Sequence, residues 1–214
     1  NNLEVTVEGE WYRTILWEVP LLALISELFY EMSDLERNPN QFVLENTLRK
    51  ADELNHLGVT FAEFGTRRRH SYQVQDLVVE ALIRNKSSKF IGSSNVHFAM
   101  KYGVKPIGTH AHEWFMFHAA EYGFKMANAI SLENWVNVYR GDLGVALSDT
   151  YTTDVFFQQF DKKFAKLFDG VRHDSGDPIE FANKTIAHYE PNAINPLFKY
   201  VIFSAGSNLG DAPA

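Results

Sequence analysis

The sequence predicts an α/β fold built on parallel strands, and three observations lead there. From residue 59 onward, six short apolar runs alternate with five stretches of helical periodicity. Strand–helix repetition implies parallel pairing, because parallel strands need a crossover between them. The runs show little polar–apolar alternation, as strands buried on both faces do. Hydrophobic residues make up 45% of the 214 residues and charged ones 22%, enough apolar material for a sizeable core. An α/β barrel and a doubly wound sheet both satisfy these observations.

The elements follow in order. Leu3, Val5 and Val7 alternate, and residues 3 to 17 read as a strand or hairpin ending in Ile15-Leu16-Trp17. Pro20 opens a helix whose face is Leu21, Leu22, Ile25, Leu28, Phe29 and Met32. Asn38-Pro39-Asn40 breaks the chain, and Leu44, Leu48, Ala51 and Leu54 mark a second helix stopped by Gly58. Val59 to Phe64 is strand-like, and Val74, Leu77, Val78, Ala81 and Leu82 form a helix face. Phe90-Ile91 is a strand, residues 95 to 102 a helix ended by Gly103, and residues 104 to 107 a strand. A helix follows from about Thr109, a strand at Val145-Ala146-Leu147, and a helix from about Thr153. Gly170-Val171-Arg172 is a strand. Asp177-Pro178-Ile179-Glu180 then specifies a helix start, with an N-cap, a proline at the first position and an acid at the third. Residues 199 to 203 form the last strand.

Composition removes several function classes. Twenty Lys and Arg against 27 Asp and Glu leave a net charge of −7, which argues against a general nucleic-acid coat or a binder of acidic membranes. There are no cysteines, so disulfides, cysteine–zinc sites and thiolate catalysis are excluded. The longest apolar stretch, Val19 to Ile25, is too short to cross a bilayer. The chain begins at Asn1 without Met and ends in a small polar tail, so a partial chain is expected.

In parallel α/β folds chemistry gathers at the C-terminal ends of strands. The first end carries Glu63-Phe64-Gly65-Thr66-Arg67-Arg68-Arg69. Three consecutive arginines cannot all face one way, so they either pair with surface acids or reach an anion. The second, Gly92-Ser93-Ser94-Asn95, reads as a turn and helix cap. The third, Gly108-Thr109-His110-Ala111-His112-Glu113-Trp114, offers backbone N–H groups and a hydroxyl to an anion and places His112 in the first helical turn. A histidine there suits a general base, a nucleophile or a metal ligand. The fourth, Ser148-Asp149-Thr150-Tyr151, offers one carboxylate, either substrate-orienting or part of an Asx-turn. The fifth, Arg172-His173-Asp174-Ser175-Gly176-Asp177, leaves Arg172 for an anionic substrate and Asp174 for a ribose or hydrated metal ion once Asp177 is spent as a cap.

These four segments, those around Arg67, His112, Asp149 and Arg172, occur in an order that resembles the nicotinate phosphoribosyltransferase family, over about residues 5 to 203. The resemblance implies an irregular parallel α/β barrel of the type II phosphoribosyltransferase kind, present in part, with the end of an open-faced sandwich domain. Residues 1–20 would be the sandwich tail, 21–204 the partial barrel and 205–214 a tail outside the family pattern. The implied reaction joins nicotinate and phosphoribosyl pyrophosphate into nicotinate mononucleotide and pyrophosphate. It is coupled to ATP hydrolysis and serves NAD salvage. His112 matches the histidine phosphorylated from ATP, with Glu113 beside it. Gly108 and Thr109 match a nicotinate-contacting turn, Arg172 the partner of the pyridine carboxylate, and Arg67 an arginine facing the same site. Asp149 and Asp174 match acids near base and ribose, where carboxylates stabilise developing positive charge. Mg²⁺ would screen the pyrophosphate. The resemblance also implies a cytoplasmic homodimer that acts on small molecules, with no nucleic-acid or membrane partner and no metal ligated by the named residues.

Two rivals compete. A metal-dependent hydrolase on an α/β barrel would use His110 and His112 with His173 and Asp174. An inactive fragment or paralogue would retain the fold alone. The family's full chain is about twice as long, with an aromatic segment before this region and glycine-rich phosphate loops after it.

Overall fold

The computed structural model describes residues 2–33, 39–85 and 89–204, in two compact units, Asn1–Ile107 and Gly108–Ala214. Asn38 of the expected chain break and the tail from 205 to 214 lie outside the described residues.

The first unit corrects the expected N-terminal hairpin. Residues 2–8 have no regular structure, and Leu3, Val5 and Val7 are exposed. Their alternation is real, but among the described residues no strand pairs with them, and an isolated strand has nothing to bury against. Helix α1 (Trp11–Thr14) runs through a tight turn at Ile15–Trp17 into α2 (Glu18–Met32). Pro20 is the third residue of α2, where a backbone N–H would have no intrahelical partner. Helix α3 (Asn40–His56) ends at Leu57, and Gly58 takes the left-handed conformation expected of a C-terminal stop.

Strand β1 (Phe61–Glu63), helix α4 (Tyr72–Arg84), strand β2 (Phe90–Ser93), helix α5 (Val96–Tyr102) and strand β3 (Lys105–Pro106) complete this unit. The strands form a parallel sheet in the order β1-β2-β3. Ser71 and Asn95 cap α4 and α5 through their side chains, and Gly103 ends α5 at φ +65°.

In the second unit the helix read from Thr109 begins at His112 and is two helices, α6 (His112–Tyr122) and α7 (Phe124–Tyr139). Gly123, at φ +81°, separates them. Strand β4 (Val145–Leu147) follows, then α8 (Thr153–Gln159) and α9 (Lys162–Leu167), where one helix was expected. Asp161 caps α9 by accepting from the N–H groups of Lys163 and Phe164, which restarts the helix. Strand β5 (Gly170–His173), α10 (Pro178–Tyr189) and β6 (Tyr200–Phe203) close the unit. Its sheet is parallel, in the order β4-β5-β6. Ala146, Val171, Phe156, Phe160, Phe164, Phe168, Phe181 and Tyr189 belong to one buried core with Leu132 of α7. Gly170 is required where it stands, because a Cβ there would lie 2.1 Å from the Tyr200 carbonyl oxygen on the neighbouring strand.

Candidate functional site

The second unit gathers polar side chains at the C-terminal ends of β4, β5 and β6. Along β5 the side chains alternate. Val171 and His173 are buried, while Arg172 turns to the opposite side and keeps some exposure. Ser148, just after β4, donates its hydroxyl to the Arg172 carbonyl at 2.8 Å and ties the two strand ends together.

Arg172 is heavily committed. Its Nε donates to Ser204 Oγ at 2.6 Å, its Nη1 to Thr109 Oγ1 at 2.8 Å and to the His110 carbonyl at 3.0 Å, and its Nη2 to Asp174 Oδ1 at 2.5 Å. A guanidinium has five N–H donors, so one is left. Ser204, the first residue after β6, accepts from Arg172 and donates to Asp174 Oδ1 at 2.5 Å.

Asp174 carries this network to His112. Its Oδ2 lies 3.1 Å from His112 Nε2. Partial burial opposes its charge, but the hydrogen bonds from Ser204, His112 and Arg172 prevail and hold the carboxyl well below the usual range. An ionised carboxylate only accepts, so the neutral His112 ring keeps its proton on Nε2. Nδ1 then carries the lone pair and accepts from Thr150 Oγ1 at 3.0 Å. The ring is thus fixed at both nitrogens as the first residue of α6, beside the N–H groups of that helix's first turn.

Of the residues singled out from sequence, Thr109, His112, Arg172 and Asp174 are joined directly. Asp149 sits beside Thr150 and accepts from Ser175 Oγ through Oδ2, while its Oδ1 is buried without a partner. Glu113 follows His112 in the first turn of α6, and its side chain makes no hydrogen bond or ion pair among the described residues. A Cβ added at Gly108 would meet nothing within 4 Å, so the space beside Thr109 is open. Arg67 lies in the first unit and donates to Glu18 Oε1 at 2.7 Å. Sequence reasoning gave no role to Thr150 or Ser204. The signal available for both was position, each lying at or near the first residue past a strand.

His110 separates from His112 altogether. Its ring is buried against Trp135, Phe115 and Phe168. Burial, reinforced by the charge of Arg172, lowers its pKa to about 3. His173 is buried between Phe181 and Phe203. The convergence on one ion that a metal hydrolase needs is therefore absent. Among the described residues no group of three or more His, Asp or Glu is arranged to hold a metal ion.

The sequence model of the "Nicotinate phosphoribosyltransferase (NAPRTase) family" matches residues 59–212. A nicotinate phosphoribosyltransferase of Chromohalobacter salexigens is 63% identical over 203 residues, which are 95% of this chain and 52% of the relative. One from Methanosarcina mazei is 44% identical over 97% of this chain and 55% of its own length. Among solved structures, nicotinate phosphoribosyltransferase from Porphyromonas gingivalis superposes with a TM-score of 0.89 at 47% identity, over 94% of this chain and 52% of the other. The enzyme from Vibrio cholerae gives 0.86 at 38% identity, over 94% and 49%. The chain thus spans about half the length of the relatives it matches.

Proposed function

Because this chain belongs to the nicotinate phosphoribosyltransferase family, we propose that it carries the phosphoryl-accepting part of that enzyme's centre. The whole protein would convert nicotinate and phosphoribosyl pyrophosphate into nicotinate mononucleotide and pyrophosphate for NAD salvage, driven by ATP hydrolysis. It would work as a cytoplasmic homodimer.

One observation carries the reading: His112 is held between the Asp174 carboxylate at Nε2 and the Thr150 hydroxyl at Nδ1, an arrangement that leaves the lone pair of the neutral ring on Nδ1. Nδ1 attacks the γ-phosphorus of ATP, an N–P bond forms, and the P–O bond to the leaving ADP breaks. The charge gained by the ring is balanced by Asp174, which Arg172 and Ser204 keep ionised. The N–H groups at the start of α6 and the Thr150 hydroxyl then face the phosphoryl oxygens. Water later cleaves the N–P bond and releases phosphate.

Arg172 has one N–H to spare, and an exchange with the Thr109 hydroxyl would free a second. Those two donors make the fork that a pyridine carboxylate requires. Gly108 leaves space for the ring beside them. Mg²⁺ would enter on the phosphates of the substrate, with none of the residues named above as its ligand. When bound, that ion neutralises charge on the departing pyrophosphate.

Incubation with γ-labelled ATP should place acid-labile, base-stable phosphate on His112. Asp174→Asn should lower its yield about a hundredfold, because an amide can donate to Nε2 and so favours the wrong tautomer. Label that survives intact in His112→Asn would overturn the assignment.

A further inference from the structure

The arginine-rich turn after β1 is gripped from inside by a buried amide. Gln75, on α4, is 3% exposed. Its Nε2 lies 3.1 and 3.2 Å from the two Glu63 carboxylate oxygens and 2.7 Å from Thr66 Oγ1. Its Oε1 accepts from Arg69 Nη1 at 3.3 Å. Glu63 also accepts the Gly65 N–H at 2.5 Å and the Ser93 hydroxyl at 2.6 Å. Asn95 donates to Thr66 Oγ1 at 3.1 Å, and Arg69 pairs with Glu27 at 3.3 Å.

Two features show what this network shapes. Gly65 has an ordinary backbone conformation, φ −79°, so its lack of a side chain is not a matter of dihedral freedom. A Cβ there would lie 2.8 Å from Glu63 Oε1, so the glycine admits the carboxylate to the backbone. Every inward contact of the turn is made by Glu63, Thr66 or Arg69, while Arg67 and Arg68 stay exposed. Arg67 reaches Glu18 on a side that is half open to solvent, and the Arg68 side chain has no hydrogen-bond or ion-pair partner among the described residues. Isolated surface arginines would not need a half-buried carboxylate and a buried amide beneath them, since apolar packing would stabilise the turn as well.

We propose that Glu63 and Gln75 are positioning residues, a clasp that fixes the Gly65–Arg69 turn so that Arg67 and Arg68 meet the phosphate oxygens of phosphoribosyl pyrophosphate. The proposal rests on the transferase reading for its ligand, but not for the clasp itself. Arginine suits this task because its planar fork matches phosphate, provided the backbone beneath it does not move.

Trypsin reads both parts, since it cleaves after Arg67 and Arg68. In the 214-residue chain, Gln75→Leu should speed cleavage at these two bonds about tenfold, because proteolysis follows the population of the locally open turn. Cleavage at distant lysines should be unchanged. The exchanged pair Glu63→Gln with Gln75→Glu restores an amide–carboxylate contact and should return the rate to near that of the unaltered chain. Phosphoribosyl pyrophosphate with Mg²⁺ should protect the unaltered and exchanged chains, and should protect Gln75→Leu only at much higher concentration. Glu63→Gln, which keeps side-chain volume, takes the place of Gln75→Leu if that variant does not fold. Unchanged cleavage at Arg67 and Arg68, or faster cleavage at every site alike, overturns the clasp. Accelerated cleavage with no protection of the unaltered chain upholds the clasp and overturns the assignment of Arg67 and Arg68 to the phosphates.

Discussion

His110 and His112 stand two residues apart and end in opposite surroundings, one in an aromatic core and one between a hydroxyl and a carboxylate. The motif that contains them was legible in the sequence, but the direction of each ring was not. The chain changes from loop to helix between them, so neither the strand period nor the helix period applies. Thr150 and Ser204 were passed over for a related reason. Their roles depend on which strand ends lie side by side, and strand order is not written in local composition. The buried ring has a measurable consequence. His110 titrates near 3 when folded and near 6.5 in an unstructured chain, so the unfolded state binds more protons between those values. Stability from this group is complete above pH 6.5 and is lost on acidification, by about 1.4 kcal/mol per pH unit at most. Asp174 is also stabilising when ionised, but its contribution fades only below its ordinary value of 3.8. Urea midpoints should therefore fall from pH 6.5 to about 5, and His110→Phe should flatten that slope. An identical slope in the variant would remove His110 as the cause.

Local chemistry was most legible where it is cooperative with a turn. Asp177 accepts from the Glu180 N–H and Pro178 begins α10, as their spacing demands. Five strands fall on short apolar runs, while β3 keeps only Lys105–Pro106 of the run read over 104 to 107. The N-terminal alternation misled because three exposed residues in register resemble a strand only while a partner is assumed. Gly123 and Asp161 were missed as breaks because apolar periodicity continues past both. Glycine is decisive at the β5–β6 ladder, where Gly170 faces Tyr200. Gly170→Ala would press a methyl group into the Tyr200 carbonyl, so the ladder must separate at its first rung. The expected cost is about 2 to 4 kcal/mol, seen as a lower thermal midpoint with helical circular dichroism largely kept below it. A midpoint within a degree or so of the unaltered chain would show that the strands can part at no cost.

At the scale of the molecule, large apolar side chains stand exposed on the α1–α2 segment, among them Leu16, Leu28, Phe29 and Met32, and near β6 at Leu197, Phe198 and Tyr200. The chain matches relatives of about twice its length. Apolar surface of this kind favours association, which the net charge of −7 opposes without cancelling. Sedimentation velocity should show reversible self-association that strengthens with added salt, and a single concentration-independent monomer would contradict it. The family was legible in the sequence because its four segments lie in order. How the strands divide between two sheets was not, because parallel strands give no hairpin signal. All four strand ladders among the described residues are parallel, and each joins strands separated by at least one helix. Neither sheet can therefore begin from a hairpin. Helices should form first, on their own fast timescale, with each ladder waiting for its crossover to close. Refolding should be slow relative to helix formation, and during that interval the bare strand edges are open to the wrong neighbour.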